Sequence, residues 1–494
     1  MTCLRCIQSC IFATLFGLAT LWAGTVGAGE GDVVHPSPDP AQDDSFSVHQ
    51  WADRIDTLVD RAAAKKGIEV SAKVTDAKYL RRISLDLLGR IPTLDEAATF
   101  HASPDRQRRV REFLDDDAFA DFWAECWTTI AVGEAVSRRT DRVCLQNWFR
   151  ERIAQDTPWN RTVADLIAAQ GQGAFDGPSN FVLHHAEDPV VPIGRVFLGV
   201  QLDCARCHDH PSARWTQDHY QDMKRFFDPV SIRNRGDRDY TLVDRTIRDG
   251  DVPCFLTGIK PRTRQWRREL SVFVTASKPF ARTMAHRVWY HFFGQGIATN
   301  PDQTSVAAKG EHAELIQTLA DAFVAGGYRL RPLIQTICAT RAYARQVRMV
   351  PSGAPDASNH DPPHASTHAH SRVVTRRLVT WTLQPCAKGL TPSQWRRSAE
   401  ILIGQAFAGG VKPDAEVRVD RFPLGNLWER TPTLEARLRS MALPLPRPAH
   451  SSVDLFRLAY SRPPTQSQRE WLESVPPRDL LFALLHSNEF CFWH

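Results

Sequence analysis

A chain of 494 residues is longer than one ordinary hydrophobic core accommodates, so two or three domains are expected. Apolar residues at 43% and charged residues at 24% are ordinary globular usage and exclude collagen-like and low-complexity classes. A formal charge of +5 spread over this length is no footprint for a polyanion, and no nucleic-acid-binding motif stands among the arginines, so nucleic acid is not an expected partner.

The N-terminus has the form of an export signal, predicted over residues 1–28. Arg5 supplies the positive start, an apolar stretch runs from Ile11 to Trp22, and Val26-Gly27-Ala28 offers small residues for cleavage. The stretch is short for a membrane anchor, and no later apolar run is long enough to span a bilayer, so no stable span is expected once the signal is removed. The expected address is the periplasm or another exported compartment. Residues 29–48, rich in Gly, Pro, Asp and Ser, read as a flexible leader.

From residue 49 to about 230 helical signals dominate. Ile55, Leu58 and Val59 keep helical spacing, as do Leu80, Ile83, Leu85 and Leu87 before a stop at Gly89. Thr93 and Glu96 form a capping box for the next helix. Phe119, Phe122, Trp123 and Trp127 make an aromatic stripe of the kind that forms core. Thr157-Pro158 opens another helix with Pro at its first position. Residues 231–262 read as a connector, a small hairpin or irregular segment carrying Tyr240, Leu242 and Val243.

A second helical block is expected over 263–349. Pro279 starts a helix with Phe280, Met284, Val288 and Phe292 at a spacing of four, stopped at Gly294. Leu315, Leu319 and Phe323 mark the next, closed by Gly326-Gly327, and Leu330 to Tyr343 a third. Residues 350–372, with His360, His364, His368 and His370 among Pro, Ser and Ala, read as a disordered linker. Helices resume over 373–494, with capping boxes at Thr391/Gln394 and Thr465/Gln468, a short strand at Val417, Val419 and Phe422, and a closing helix around Leu480 to Leu485. The expected fold is therefore mainly α: two multi-helix domains with a small β or irregular connector and a disordered linker.

One segment carries chemistry. Cys204-Ala205-Arg206-Cys207-His208 places two thiols three residues apart with an imidazole directly after, the pattern of covalent haem attachment. Each thiol adds to one vinyl group, and the imidazole of His208 approaches the iron as proximal ligand. Haem c is the cofactor this predicts, with Cys204, Cys207 and His208 as its residues. A redox disulfide between Cys204 and Cys207 is an alternative, as is a zinc or iron centre on Cys204, Cys207, His208 and His210. In a third reading, His208 and His210 merely cap a helix end before Pro211. Met223, His219 or a distant His are open as sixth ligand, and Asp209 is a candidate acceptor for an imidazole N–H. His184-His185 reads as a helix-edge pair, Gly171-Gln172-Gly173 lacks the third glycine of a dinucleotide fingerprint, and no hydrolase or phosphate-loop motif is present.

The string from Val196 to Pro211, followed by Trp215-Thr216-Gln217 and Tyr220, resembles the cytochrome-like DUF1549 domain of planctomycete proteins. Arg81 to Thr93 is similar to the start of that domain. Arg287 to Gly296, Tyr328-Arg329-Leu330 with Arg341-Ala342-Tyr343, and Leu484 to Phe490 resemble its usual companion, DUF1553. His286, Trp395-Arg396-Arg397 and the His-rich linker depart from that pattern. The resemblance implies a cytochrome-like domain, so named for its Cys-x-x-Cys-His motif; the leading reading of that motif is a c-type-haem-like protein with a redox or electron-transfer role. A metal-dependent enzyme and a non-catalytic scaffold for a partner or surface polymer are the other readings.

Overall fold

The computed structural model describes residues 46–134, 137–210, 213–234, 236, 239–247, 250–297, 301–307, 310–346, 388–403, 451–486 and 492–493. The predicted signal, nearly all of the leader, the His-rich linker and the strand at Val417–Phe422 lie outside them.

The first helical run follows the apolar spacing closely. Helix α1 (Val48–Lys65) is capped by Ser47 and buries Ile55 and Val59. α2 (Asp76–Leu87) is capped by Thr75, and the chain turns at Gly89 with φ +67°. A Cβ at Gly89 would sit 2.4 Å from the Phe122 ring, so glycine is required there both for its left-handed backbone and for space. α3 (Leu94–Ala102) carries the Thr93/Glu96 capping box, and Arg90 clamps that Glu96 at 2.7 Å. α4 (Arg106–Leu114) and α5 (Asp117–Val132) follow, and all four members of the aromatic stripe on α5 are buried. After α6 (Arg142–Ala154), α7 spans Trp159–Ala168; Pro158 is its N-cap, one residue before the helical position expected.

The connector is a small antiparallel sheet. β2 (Val230–Asn234) and β3 (Tyr240–Asp244) form a hairpin, and β1 (Gly171–Gln172) adds to the other edge of β3. Leu242, fully buried, faces Ile232 on one side and Gly171 on the other. Helices α8 (Ser179–His184), α9 (Val190–Ile193) and α10 (Gln217–Arg225) lie between β1 and β2 in sequence. Arg267, on α11 (Trp266–Thr275), pins the sheet to the helices: it pairs with Asp244 at 2.8 Å and donates to the carbonyl of Ile167 at 3.1 Å.

α12 (Lys278–Phe293) starts at Ser277, carries Pro in its first turn and ends on Gly294 in the left-handed conformation, as its sequence predicts. α13 (Thr304–Ala307), α14 (Ala313–Ala325) and α15 (Leu330–Ala339) follow; α15 stops at Thr340, short of the Tyr343 its apolar content suggested. The described residues after 387 comprise β4 (Lys388–Gly389), α16 (Pro392–Ile403), the helices Ser452–Tyr460, Gln466–Ser474 and Pro477–His486, and β5 (Phe492–Trp493), which pairs with β4.

Among the described residues the chain is thus mainly helical, with one small three-stranded sheet and the β4–β5 pair, and helices from before and after the three-stranded sheet pack within one compact unit. A polar seam joins them. Buried Asp56 on α1 accepts from the backbone N–H groups of Arg341 and Ala342 at 2.8 and 3.0 Å. Val74 N–H donates to the Ala344 carbonyl at 2.8 Å, and Arg82 donates to the carbonyls of Tyr343 and Arg345. Beneath the seam, Asp86 of α2 is fully buried and receives the Tyr343 hydroxyl and the Lys388 ammonium, each at 2.6 Å. Burial pushes the Asp86 carboxyl up, and Lys388 and Tyr343 pull it back.

Candidate functional site around the Cys-Ala-Arg-Cys-His turn

The site begins at a backbone irregularity. Gly194–Leu198 forms a single π-helical turn after α9, and such insertions frequently mark functional sites. Its carbonyls are taken by one buried arginine: Arg287 on α12 donates to the Val196 oxygen at 2.9 Å and the Arg195 oxygen at 3.0 Å, and pairs with Asp302 at 2.5 Å. Gly199 then turns the chain with φ +59°. A Cβ there would lie 2.7 Å from both Thr283 Oγ1 and Thr304 Cβ, so only glycine fits against α12 and α13. The chain leaves this corner through buried Val200 and Leu202.

Cys204–Arg206 is one 3-10 turn. Ala205 is fully buried and anchors it, while Cys204, Arg206, Cys207 and His208 face outward. The N–H groups of Cys207 and His208 both donate to the Cys204 carbonyl at 3.2 Å, which closes the turn. Neither thiol is in a disulfide, so the chain places two free, exposed sulfurs on one short turn.

The flanking imidazoles are set in opposite ways. His208 Nδ1 lies 2.8 Å from the Asp209 carbonyl oxygen. A carbonyl only accepts, so Nδ1 carries the proton and the lone pair is left on Nε2, the arrangement common in metal-binding histidines. His210 Nδ1 instead accepts the Ala213 N–H at 3.0 Å, which commits its lone pair to the loop. Asp209 is indeed the acceptor for an imidazole N–H, but through its backbone; its carboxylate accepts from Gln217 N–H at 2.8 Å and caps the start of α10. His219 forms a capping box with Thr216, and its Nδ1 accepts from the Thr216 backbone N–H at 3.2 Å. Met223 is fully buried in the core.

A string of polar groups ties the turn to the helices behind it. Arg206 lies 3.6 Å from Asp188, in the turn between α8 and α9. The Tyr220 hydroxyl of α10 donates to the same Asp188 carboxylate at 2.9 Å. Burial and the Asp188 charge push the Tyr220 hydroxyl well up, so it stays a donor.

His184 and His185 are not brought to the motif's chemistry: His184 Nδ1 meets Thr140 Oγ1 at 3.1 Å, and His185 Nε2 meets the Ala131 carbonyl at 2.8 Å. Among the described residues, no three His, Cys, Asp or Glu side chains are gathered so as to hold a metal ion. A centre on Cys204, Cys207, His208 and His210 therefore requires this loop to rearrange.

Residues 54–231 match the model of the protein of unknown function DUF1549, and residues 267–383 that of the protein of unknown function DUF1553, in that order. The chain is a DUF1549–DUF1553 protein. No curated protein and no solved structure matches it. In the DUF1549–DUF1553 protein the whole motif, from the π turn to α10, falls in the DUF1549 region, while Arg287 and Asp302, which hold the π turn, come from the DUF1553 region. The terminal Leu484–Phe490 string lies beyond both matched segments.

Sequence reasoning passed over Asp188, Tyr220 and Arg287 as site-supporting residues. Asp188 follows Glu187 with nothing local to mark it, and its partners are 18 and 32 positions away. The π turn has no sequence signature apart from the glycines that bracket it, Gly194 and Gly199.

Proposed function

We propose that the DUF1549–DUF1553 protein is an exported c-type-haem-like protein with a redox or electron-transfer role, with Cys204 and Cys207 as thioether anchors and His208 as proximal ligand. The carrying observation is the state of His208 beside two free thiols: its Nδ1–H is held by the Asp209 carbonyl and its Nε2 is left as the ligating nitrogen. Both sulfurs are exposed on one closed turn, so a flat macrocycle can reach them without unfolding the chain. Haem attached here would supply a one-electron iron couple. The protein's own part is positional: Ala205 fixes the turn from beneath, Tyr220 holds the Asp188 carboxylate that pairs with Arg206, and Asp209 orients the imidazole with its backbone and secures α10 with its side chain.

The non-haem metal reading has less support, because the His210 lone pair is spent on Ala213 N–H. Export is supported by the N-terminal sequence pattern. Among the described residues no helix is long and apolar enough to cross a membrane. The partner under this reading is a redox protein; a surface polymer remains the partner of the scaffold reading.

Expression in a host that carries haem-attachment machinery separates these readings. A Soret band with covalently bound haem supports the proposal. Stoichiometric zinc or iron without haem selects the metal centre, and a colourless, metal-free protein selects the scaffold.

A further inference from the structure

We infer that Cys204 and Cys207 form a thiol–disulfide exchange site, closed to cofactor attachment when oxidised and open when reduced; the closing of attachment rests on the reading just given. In a 3-10 turn, residues three apart eclipse each other at a rise of about 2.0 Å per residue, so their Cα atoms lie about 6 Å apart. That falls inside the roughly 4.4–6.8 Å that a disulfide spans. The 3.2 Å bond from Cys207 N–H to the Cys204 carbonyl holds the pair at this spacing. Buried Ala205, the Asp209 cap on Gln217 and the bond from His210 N–H to the Trp215 carbonyl at 2.8 Å fix the loop on both sides, so little backbone movement separates dithiol from disulfide. Both cysteines are exposed on the turn and free of any disulfide. The other described thiols are placed for inertness: Cys126 and Cys338 are buried, and Cys144 and Cys254 are each partly covered and stand alone in sequence.

The oxidant is a disulfide, either a small molecule or a partner protein's. One sulfur of the pair attacks it, releases one thiol and leaves a mixed disulfide. The second sulfur attacks the first and releases the other thiol. The chain loses two S–H bonds and gains one S–S bond, the oxidant's S–S bond becomes two S–H bonds, and two electrons pass to the oxidant. Thioether formation consumes a thiol S–H, so the linked form offers nothing to a vinyl group.

The test uses the full chain from a host without haem-attachment machinery, equilibrated across mixtures of reduced and oxidised glutathione, quenched in acid, alkylated and peptide-mapped. The expected result is loss of alkylation at Cys204 and Cys207 together, with a cross-linked peptide lighter by two hydrogens. Cys204→Ser and Cys207→Ser each lose the link and carry glutathione on the remaining thiol. The inference is overturned if both thiols stay alkylatable at every ratio, or if the unsubstituted chain carries glutathione on each without linking them. A chain that links its pair yet takes no covalent haem in an attachment-competent host leaves the exchange site standing and removes the haem reading. A chain that takes haem but never links its pair does the reverse.

Discussion

His208 and His210 stand two positions apart, and their hydrogen bonds give them different chemistry. One donates Nδ1–H to a carbonyl and presents Nε2; the other spends Nδ1 on a backbone N–H. The motif spacing singles out Cys204, Cys207 and His208 as candidates in the sequence, because covalent haem attachment demands that spacing. The tautomers were not legible, since they depend on how residues 209 and 213 fold back. Burial sets other histidines apart as well. His286 is fully buried against Thr304, at 3.1 Å, and burial with the nearby Arg287 charge pushes its pKa down to about 3; His291 falls likewise to about 3. A depressed folded value means the unfolded chain takes up the proton first. The stabilisation is complete above the ordinary value of 6.5 and is lost as pH falls from there towards the folded value. At pH 5 the loss from one such histidine is about 2 kcal/mol, fixed by the unfolded value alone. His286→Asn is therefore expected to lose about 2 kcal/mol less stability than the natural chain between pH 7 and pH 5, read by urea unfolding at both. Equal losses in the two proteins would show that His286 is not held neutral.

Among the elements, local rules were read well where the bonds are local. The capping boxes at Thr93/Glu96, Thr391/Gln394 and Thr465/Gln468 form as the sequence indicates, because both partners sit within one turn. Thr216/His219 was missed, since His at the third helical position is not the usual acceptor there. The strand β1 was passed over for a different reason: two residues pair with β3 some seventy positions away, and no local period announces them. The π turn is the element on which the site depends. Gly199→Ala places a Cβ against Thr283 and Thr304 in a left-handed backbone, at a cost of about 1–3 kcal/mol from the backbone alone. Arg287→Met strips two carbonyls and Asp302 of their partner and is expected to cost about 3–5 kcal/mol. Both are checked by denaturant unfolding. In both, linking of Cys204 to Cys207 by oxidised glutathione should fall as the corner before the motif loosens; unchanged linking would detach the π turn from the site.

For the whole molecule, the two family-matched regions and the segment beyond them hold one another. Arg341-Ala342-Tyr343, one of the strings on which the DUF1553 resemblance rests, is the edge by which the DUF1553 region meets α1 and α2. Residues after 387 reach back across more than 260 positions to the DUF1549 region: Lys388 to Asp86, Ser393 and Arg397 to Glu125, Gln394 to the Leu85 carbonyl, Ser398 to Ile91 N–H. None of this was legible, because no periodicity reports which distant carboxylate a lysine meets. Lys388→Met leaves Asp86 buried without its cation and is expected to cost about 3–5 kcal/mol. The double variant Asp86→Asn with Lys388→Met should be markedly less destabilised than the two single losses summed, and a double-mutant cycle by urea unfolding measures the difference. Simple additivity would mean the pair does not couple the regions.

The central claim is that the Cys204–His208 turn carries covalent haem. Its most direct measurement is the mass of the peptide containing Cys204 and Cys207, from protein made with haem-attachment machinery present. The account predicts that this peptide gains the mass of one haem through both sulfurs, that each single Cys→Ser variant retains one linkage, and that the double variant retains none. An unmodified peptide from a folded chain, in a host that loads other haem proteins, would contradict it.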